Sequence, residues 1–110
     1  MPNVKVYVDE TLLPDCRGAL SAVLHPLRAL LCQSLRVEVA ACQFAILPAL
    51  VMADLPRVNV EIHILPHPDR TREKLTALAQ TVQTMIGDAT GTHAAIRIAL
   101  LVPEGYVALK

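Results

Sequence analysis

Apolar and polar residues alternate strictly at the start of the chain, over residues 2–8. The same alternation returns at residues 56–62, where proline again precedes a run of valine and isoleucine. Strict alternation is typical of a strand with one face buried and one face exposed. The pattern therefore predicts two similar strands, one at the start of each half of the chain.

Two further segments match at the same spacing. Pro14-Asp15 corresponds to Pro68-Asp69, and the apolar segment 41–47 corresponds to 95–101 without any gap. Internal repeats are the sequence signature of duplicated structural units. Three matches in one register therefore predict two copies of one unit.

A helical pattern lies between the matching strands of each copy. Apolar residues recur at helical spacing over 20–31 in the first copy and over 75–86 in the second. Asp15 and Asp69 precede these stripes, and an aspartate is well suited to cap the first turn of a helix. Gly87 is predicted to end the second helix, because glycine accepts the left-handed conformation of a helix terminus.

The closing strands are predicted at about 38–47 and 94–102. A helix between two strands favours a right-handed crossover that joins parallel strands. We therefore predict one α/β domain of the two-layer α+β type over residues 1–110, with pseudo-repeats 2–55 and 56–110. Its four-stranded sheet carries two helices on one face, and the other face retains apolar residues that need a partner.

The composition supports a small oligomeric protein. The chain has 110 residues, 54% of them hydrophobic, and a formal net charge of zero. A balanced charge removes the electrostatic case for binding nucleic acid or an anionic membrane. The most apolar stretch, 19–35, contains His25, Pro26 and Arg28. We interpret it as a buried helix that Pro26 kinks, not as a membrane span.

The cysteines and histidines carry no recognisable metal or disulfide pattern. Cys16, Cys32 and Cys42 are odd in number and contain no C-x-x-C pair. The four histidines lack metal-ligand spacing. We therefore expect reduced thiols, no metal and no cofactor. An N-terminus without an apolar run, together with these thiols, favours a cytoplasmic location.

The Met-Pro start and the duplicated strand-helix-strand unit resemble the tautomerase superfamily. The resemblance covers the whole chain and is strongest in residues 60–65, 69–75 and 96–98. It is closest to the long, duplicated members of the 5-carboxymethyl-2-hydroxymuconate isomerase type and to the short 4-oxalocrotonate tautomerases. The resemblance implies a homotrimer that moves a proton within an enol or 2-oxo acid.

In this family the catalytic base is an N-terminal proline, which here is Pro2 after removal of Met1. The freed secondary amine can take a proton next to a carbonyl group and return it elsewhere. Pro56, its counterpart in the second copy, is an internal residue without a basic nitrogen. One active site per chain is therefore implied.

The resemblance assigns substrate binding to Arg97, Arg70 and Tyr106. The two arginines would hold the carboxylate of a small-molecule substrate and stabilise the enolate oxygen. Tyr106 would form a wall of the pocket. By analogy the pocket lies at a subunit boundary, so that different chains supply these residues.

The first copy departs from the family pattern. In the ungapped repeat, Gln43 corresponds to Arg97 and Cys16 corresponds to Arg70, so that both arginines are absent. A catalytically silent oligomeric binding protein is therefore the alternative function. Dehalogenase or hydratase chemistry from the same proline is a third possibility, and all proline chemistry depends on the removal of Met1.

Overall fold

A computed structural model describes residues 2–110, and Met1 lies outside the described residues. Six regular elements follow one another along the chain in two strand-helix-strand units. The first unit is β1 (Asn3–Asp9), α1 (Leu13–Leu35) and β2 (Gln43–Ala49). The second unit is β3 (Val58–Ile64), α2 (Arg72–Thr90) and β4 (Ala94–Leu100). Short 3-10 turns cover Val39–Ala41 and Pro103–Gly105.

The four strands form one mixed sheet in the order β2-β1-β3-β4. Within each unit the two strands are parallel, as the crossover helix requires, and the units meet through the antiparallel pair β1 and β3. The predicted four-stranded α+β sheet with two helices is confirmed.

Both helices cover the same face of the sheet. Alternate residues of β1 and β3 are buried against them, among them Val4, Val6, Val58 and Val60. These strand residues pack with the apolar stripes of the two helices, which include Leu20, Leu27, Leu31, Leu78, Val82 and Ile86. Burial of aliphatic surface at about 25 cal/mol per Å² is the main force that holds the two layers together.

The opposite face of the sheet has a polar centre. The residues that β1 and β3 place there are Asn3, Lys5, Tyr7, Asn59, Glu61 and His63. Apolar residues lie only on the outer strands, where Ala45 and Leu47 of β2 share the face. The predicted apolar character of this face is therefore restricted to its two edges.

Both predicted N-caps are wrong. Helix α1 begins at Leu13 after Leu12, and Asp15 lies inside the first turn. The start is shifted because Asp9 turns the chain earlier: its carboxylate accepts the backbone N–H of Thr11 at 2.9 Å. Helix α2 is capped by Thr71, whose hydroxyl accepts the N–H of Lys74 at 3.3 Å.

The predicted stop at Gly87 is also wrong. Helix α2 continues to Thr90 and ends at Gly91, which has a left-handed φ of 71°. Gly87 lies inside the helix, and its carbonyl accepts the N–H of Gly91 at 2.8 Å. Helix α1 continues through Pro26, which is exposed, and the predicted kink there stays a prediction. Within residues 2–110 neither helix combines the length and the apolar composition that crossing a bilayer requires.

The two units are not related by an ungapped repeat. Val4 lies opposite Phe44, whereas Val58 lies opposite Ala94, so the path between parallel partners is four residues longer in the first unit. The connection from helix to second strand is four residues longer in the first unit, 36–42 against 91–93. The longer helix α1 is offset by the shorter connection before it, 10–12 against 65–71. The second strands of the two units therefore correspond with a shift of four residues relative to the first strands.

Candidate active site

Pro2 lies buried directly before β1. Its carbonyl oxygen accepts the backbone N–H of Gln43 at 3.0 Å, which continues the pairing of β1 with β2. Because Asn3 lies opposite His63 in the antiparallel register, Pro2 sits beside the carboxyl end of β3. The removal of Met1, on which a basic nitrogen at Pro2 depends, falls outside the described residues.

Arg97 lies on the outer strand β4, directly opposite Glu61 of β3. Its Nη1 donates to the side-chain oxygen of Asn59 at 3.2 Å. Asn59 and Arg97 are diagonal neighbours on one face of the sheet, a separation that long side chains bridge. No carboxylate within residues 2–110 forms a salt bridge with Arg97, so its exposed positive charge remains available to an anion.

Arg70 lies in the loop between β3 and α2 and has two backbone partners. Its Nη1 donates to the carbonyl of Leu65 at 2.5 Å, and its Nη2 donates to the carbonyl of Leu35 at 3.1 Å. Leu35 is the last residue of α1, and cations are favourable at the carbonyls that end a helix. Arg70 therefore joins the end of α1 to the loop that leads into α2.

Arg70, Arg72 and Arg97 line one groove between α2 and the outer edge of β4, with a volume of about 570 Å³. The other lining residues are Leu75, Thr76, Ala79, Ile96, Ile98 and Leu100. We call this the arginine groove. It contains three cationic residues, aliphatic walls and no acidic side chain. Such a surface favours a small anion with an apolar body.

The structure thus brings Arg70 and Arg97 to one groove, and it adds Arg72, the first residue of α2. Pro2 and Tyr106 are not among the lining residues. Tyr106 is half-buried after the last 3-10 turn, where its N–H contacts the carbonyl of Pro103 at 3.3 Å.

Within one chain, Pro2 and Arg97 lie apart from each other. Strand β3 lies between their strands, which places the two strands roughly 10 Å apart. The alternation also assigns Pro2 to the helix side, with Val4, and Arg97 to the opposite side, with Glu61. One chain therefore does not assemble the base and the strand arginine into one pocket.

The predicted first-unit counterparts of the arginines are wrong. Glu61 corresponds to Tyr7 in the strand repeat, and Tyr7 lies opposite Leu47, so Leu47 and not Gln43 is the register counterpart of Arg97. Cys16 is buried inside α1, whereas Arg70 precedes α2. The first unit still lacks a counterpart of the strand arginine, as predicted, because β2 contains no arginine.

Two cysteines that share no sequence motif are in contact. The Sγ atoms of Cys32 and Cys42 lie 3.3 Å apart, where the end of α1 faces the start of β2. Their spacing of ten residues matches no familiar motif, and only the connection through the 3-10 turn brings them together. Burial raises the pKa of Cys42 to about 12 and also raises the pKa of Cys16. Residues 2–110 hold no cluster of three or more histidine, cysteine or acidic side chains suited to a metal.

Comparisons by sequence find no matching family model and no matching curated protein. Solved structures do match. The "Q0 fused 4-OT wild type symmetric trimer" has a TM-score of 0.72 at 16% identity, covering 90% of this chain and 85% of its own. N1, a member of the cis-3-chloroacrylic acid dehalogenase family, has a TM-score of 0.69 at 19% identity, covering 96% and 79%.

A macrophage migration inhibitory factor-like protein from Entamoeba histolytica has a TM-score of 0.66 at 8% identity and covers 97% of this chain and 94% of its own. These identities are low, so the likeness lies in the arrangement of strands and helices. Several neighbours are 4-OT fusions, and the predicted resemblance is confirmed at the level of structure. The chain shares the fold of these solved structures.

Proposed function

We propose that this protein is an isomerase that moves a proton within an enol or 2-oxo acid, with the amine of Pro2 as general base. The arginine groove holds the carboxylate of the substrate. The observation that carries the proposal is this groove: three arginines, aliphatic walls and no acidic side chain in a tautomerase fold.

The environment of Pro2 suits a base. Pro2 is buried where β1 begins, and burial disfavours a cation relative to a neutral amine. A neutral secondary amine can take a proton from the carbon next to a carbonyl and return it to a conjugated carbon. This chemistry requires that Met1 is removed, because an amide nitrogen at Pro2 is not basic.

The arginines divide the work of substrate binding. Arg97 donates to one amide oxygen, and the side chain of Arg72 has no hydrogen-bond partner within residues 2–110, so both offer free donors. Arg70 has two donors engaged by backbone carbonyls. We assign carboxylate binding to Arg97 and Arg72, while Arg70 adds positive charge and fixes the loop.

Two chains combine to complete the site. Pro2 and Arg97 are too far apart in one chain, and matching structures are named as trimers. Exposed apolar residues support self-association: Leu50 and Met52 between the units and Val107 and Leu109 at the end are 67–93% exposed. Surfaces of this kind mark protein interfaces. In the proposed homotrimer, Pro2 of one chain faces the arginine groove of the next.

The role of Pro2 is tested by mass and rate. Intact mass spectrometry of the native chain is expected to show the loss of Met1. Pro2→Ala keeps a processed N-terminus and a primary amine but changes the basicity and position of the nitrogen. Its kcat/KM for the ketonisation of phenylpyruvate enol is expected to fall about 100-fold or more. Retained Met1 in the active protein, or unchanged turnover in Pro2→Ala, would contradict the proposal.

The role of Arg97 is tested against a matched arginine. Arg97→Gln keeps a hydrogen-bond donor but removes the charge, and we expect KM for a carboxylate substrate to rise about 10- to 100-fold. Arg17→Gln is the control, because Arg17 is exposed on α1 outside the groove. Equal effects of the two changes would remove Arg97 from the site.

A silent binding protein is the second candidate. It is favoured by the engaged donors of Arg70 and by a strand β2 without arginine. This function predicts that a small carboxylate such as phenylpyruvate binds in calorimetry without turnover. Arg97→Gln then weakens binding, whereas Pro2→Ala leaves it unchanged.

A further inference from the structure

Two thiols meet at the junction of α1 and β2, away from the arginine groove. Cys32 lies in the last turns of α1 and is half-buried, and Cys42 is buried directly before β2. Their sulfur atoms are 3.3 Å apart. A disulfide bond has a length of about 2.05 Å, so the two sulfurs must come about 1.25 Å closer to form one.

Small molecules can approach both thiols, because Cys32 is only half-buried and Cys42 lines a cavity. An open cavity of about 310 Å³ lies between α1 and β2, lined by Leu24, His25, Arg28, Cys42 and Phe44. Arg28 brings a positive charge to this cavity. Cys16, by contrast, is buried within the first turns of α1, and its pKa is raised by burial.

We propose that Cys32 and Cys42 form an oxidisable dithiol that hydroperoxides convert to an intramolecular disulfide. This modification site is independent of the chemistry proposed for Pro2. It links the end of α1 to the residue before β2 and thereby closes the connection that contains the Val39–Ala41 turn.

The reaction proceeds in two balanced steps. The thiolate of Cys32, the more exposed of the two, attacks a peroxide oxygen; the S–O bond forms, the O–O bond breaks, and water leaves after protonation. The sulfur of Cys42 then attacks the sulfenic acid of Cys32; the S–S bond forms, the S–O bond breaks, and the departing hydroxide takes the proton of Cys42. Two thiols are oxidised by two electrons, and one hydrogen peroxide is reduced to two waters.

The order of the steps follows from burial. Desolvation raises the pKa of Cys42 to about 12, which keeps this thiol protonated and makes it the poorer first nucleophile. Cys42 acts as the resolving thiol, since its sulfur already contacts that of Cys32.

The test treats the reduced full-length chain with equimolar hydrogen peroxide, then denatures it and alkylates the remaining thiols. We expect the intact mass to show the loss of two hydrogen atoms and a single alkylated thiol. Peptide mapping is expected to place that thiol at Cys16 and to recover a peptide linked through Cys32 and Cys42.

Two variants make the test specific. Cys16→Ala is expected to form the same linked peptide, whereas Cys32→Ser is expected to form none. Circular dichroism verifies that both variants fold, and the wild-type peptide map decides the question if either does not. Recovery of only unlinked thiols, a link that includes Cys16, or links only between chains would each overturn the proposal.

Discussion

The two strand-helix-strand units have their longer connections on opposite sides of the helix. In the first unit the short connection, 10–12, joins β1 to α1, and the longer connection, 36–42, follows the helix. In the second unit the longer connection, 65–71, precedes the helix, and the short connection, 91–93, leads to β4. Helix α1 has 23 residues and α2 has 19.

This difference separates the chemistry of the units. The long loop before α2 carries Arg70 to the end of α1 and leads into Arg72, which forms one side of the arginine groove. The long connection after α1 brings Cys42 onto Cys32. The same fold thus carries the arginine groove in one unit, and the N-terminal proline with a thiol pair in the other.

The first prediction concerns whether the units share one core. Leu27 of α1 and Val82 of α2 are both fully buried. Leu27→Ala is expected to lower the free energy of unfolding by about 3 kcal/mol and Val82→Ala by about 2 kcal/mol, because each leaves a cavity. Urea denaturation monitored by circular dichroism measures both changes.

The shape of the urea unfolding transition shows whether the two units share one core. One core predicts a single cooperative transition in both variants. Arg17→Gln, at an exposed residue of α1, is the control and is expected to change stability by less than about 0.5 kcal/mol. A separate early transition in Leu27→Ala would mean that the units unfold independently.

The second prediction compares two glycines of α2. Gly91 has a φ of 71°, so Gly91→Ala is expected to destabilise the protein by about 1 kcal/mol. Gly87 is helical, and an added Cβ would meet only the carbonyl of Thr92 at an ordinary 3.5 Å. Gly87→Ala is therefore expected to be neutral or to stabilise by up to about 1 kcal/mol. Equal signs in thermal denaturation would contradict this assignment of the helix end.

The third prediction concerns a carboxylate that only the first unit carries. The backbone N–H of Thr11 holds the pKa of Asp9 below its usual range, and Arg57 contributes through a 3.1 Å ion pair. A depressed folded pKa means that the contribution is present above about pH 4 and is lost as the pH falls through the folded pKa.

Asp9→Asn removes this dependence. The difference between the urea midpoints of wild type and Asp9→Asn is expected to be largest at neutral pH and to shrink in acid. Glu10→Gln is the matched control, because Glu10 is exposed and has no ion-pair partner within residues 2–110. A constant difference for Asp9→Asn across this pH range would contradict the role of the carboxylate.

The fold was largely predictable because alternation and helical spacing are strong local signals. Residues 2–8 and 56–62 alternate clearly, and both give central strands with one buried face. The helix ends were not predictable, because Asp15 and Asp69 look like caps in isolation. The caps depend on loop lengths, which place Leu12 and Thr71 at the helix starts.

The candidate site was partly predictable. Arg97 and Arg70 do share a groove, since a strand arginine and a pre-helix arginine of one unit lie near each other. The binding role proposed for Arg72 has no clear sequence signal, because an arginine in the first turn of a helix is usually exposed to solvent. The Cys32–Cys42 contact could not be predicted from the sequence, because it depends on the path of residues 36–42.

The most direct test of the account combines Pro2 of one chain with Arg97 of another. Pro2→Ala and Arg97→Gln chains, each of low activity alone, are mixed in equal amounts, unfolded and refolded together. Random assembly in a ring is expected to restore the complete pair in about a quarter of the sites. A site shared between two chains predicts phenylpyruvate turnover near that fraction of wild type, and a mixture no more active than its two parents would contradict such a site.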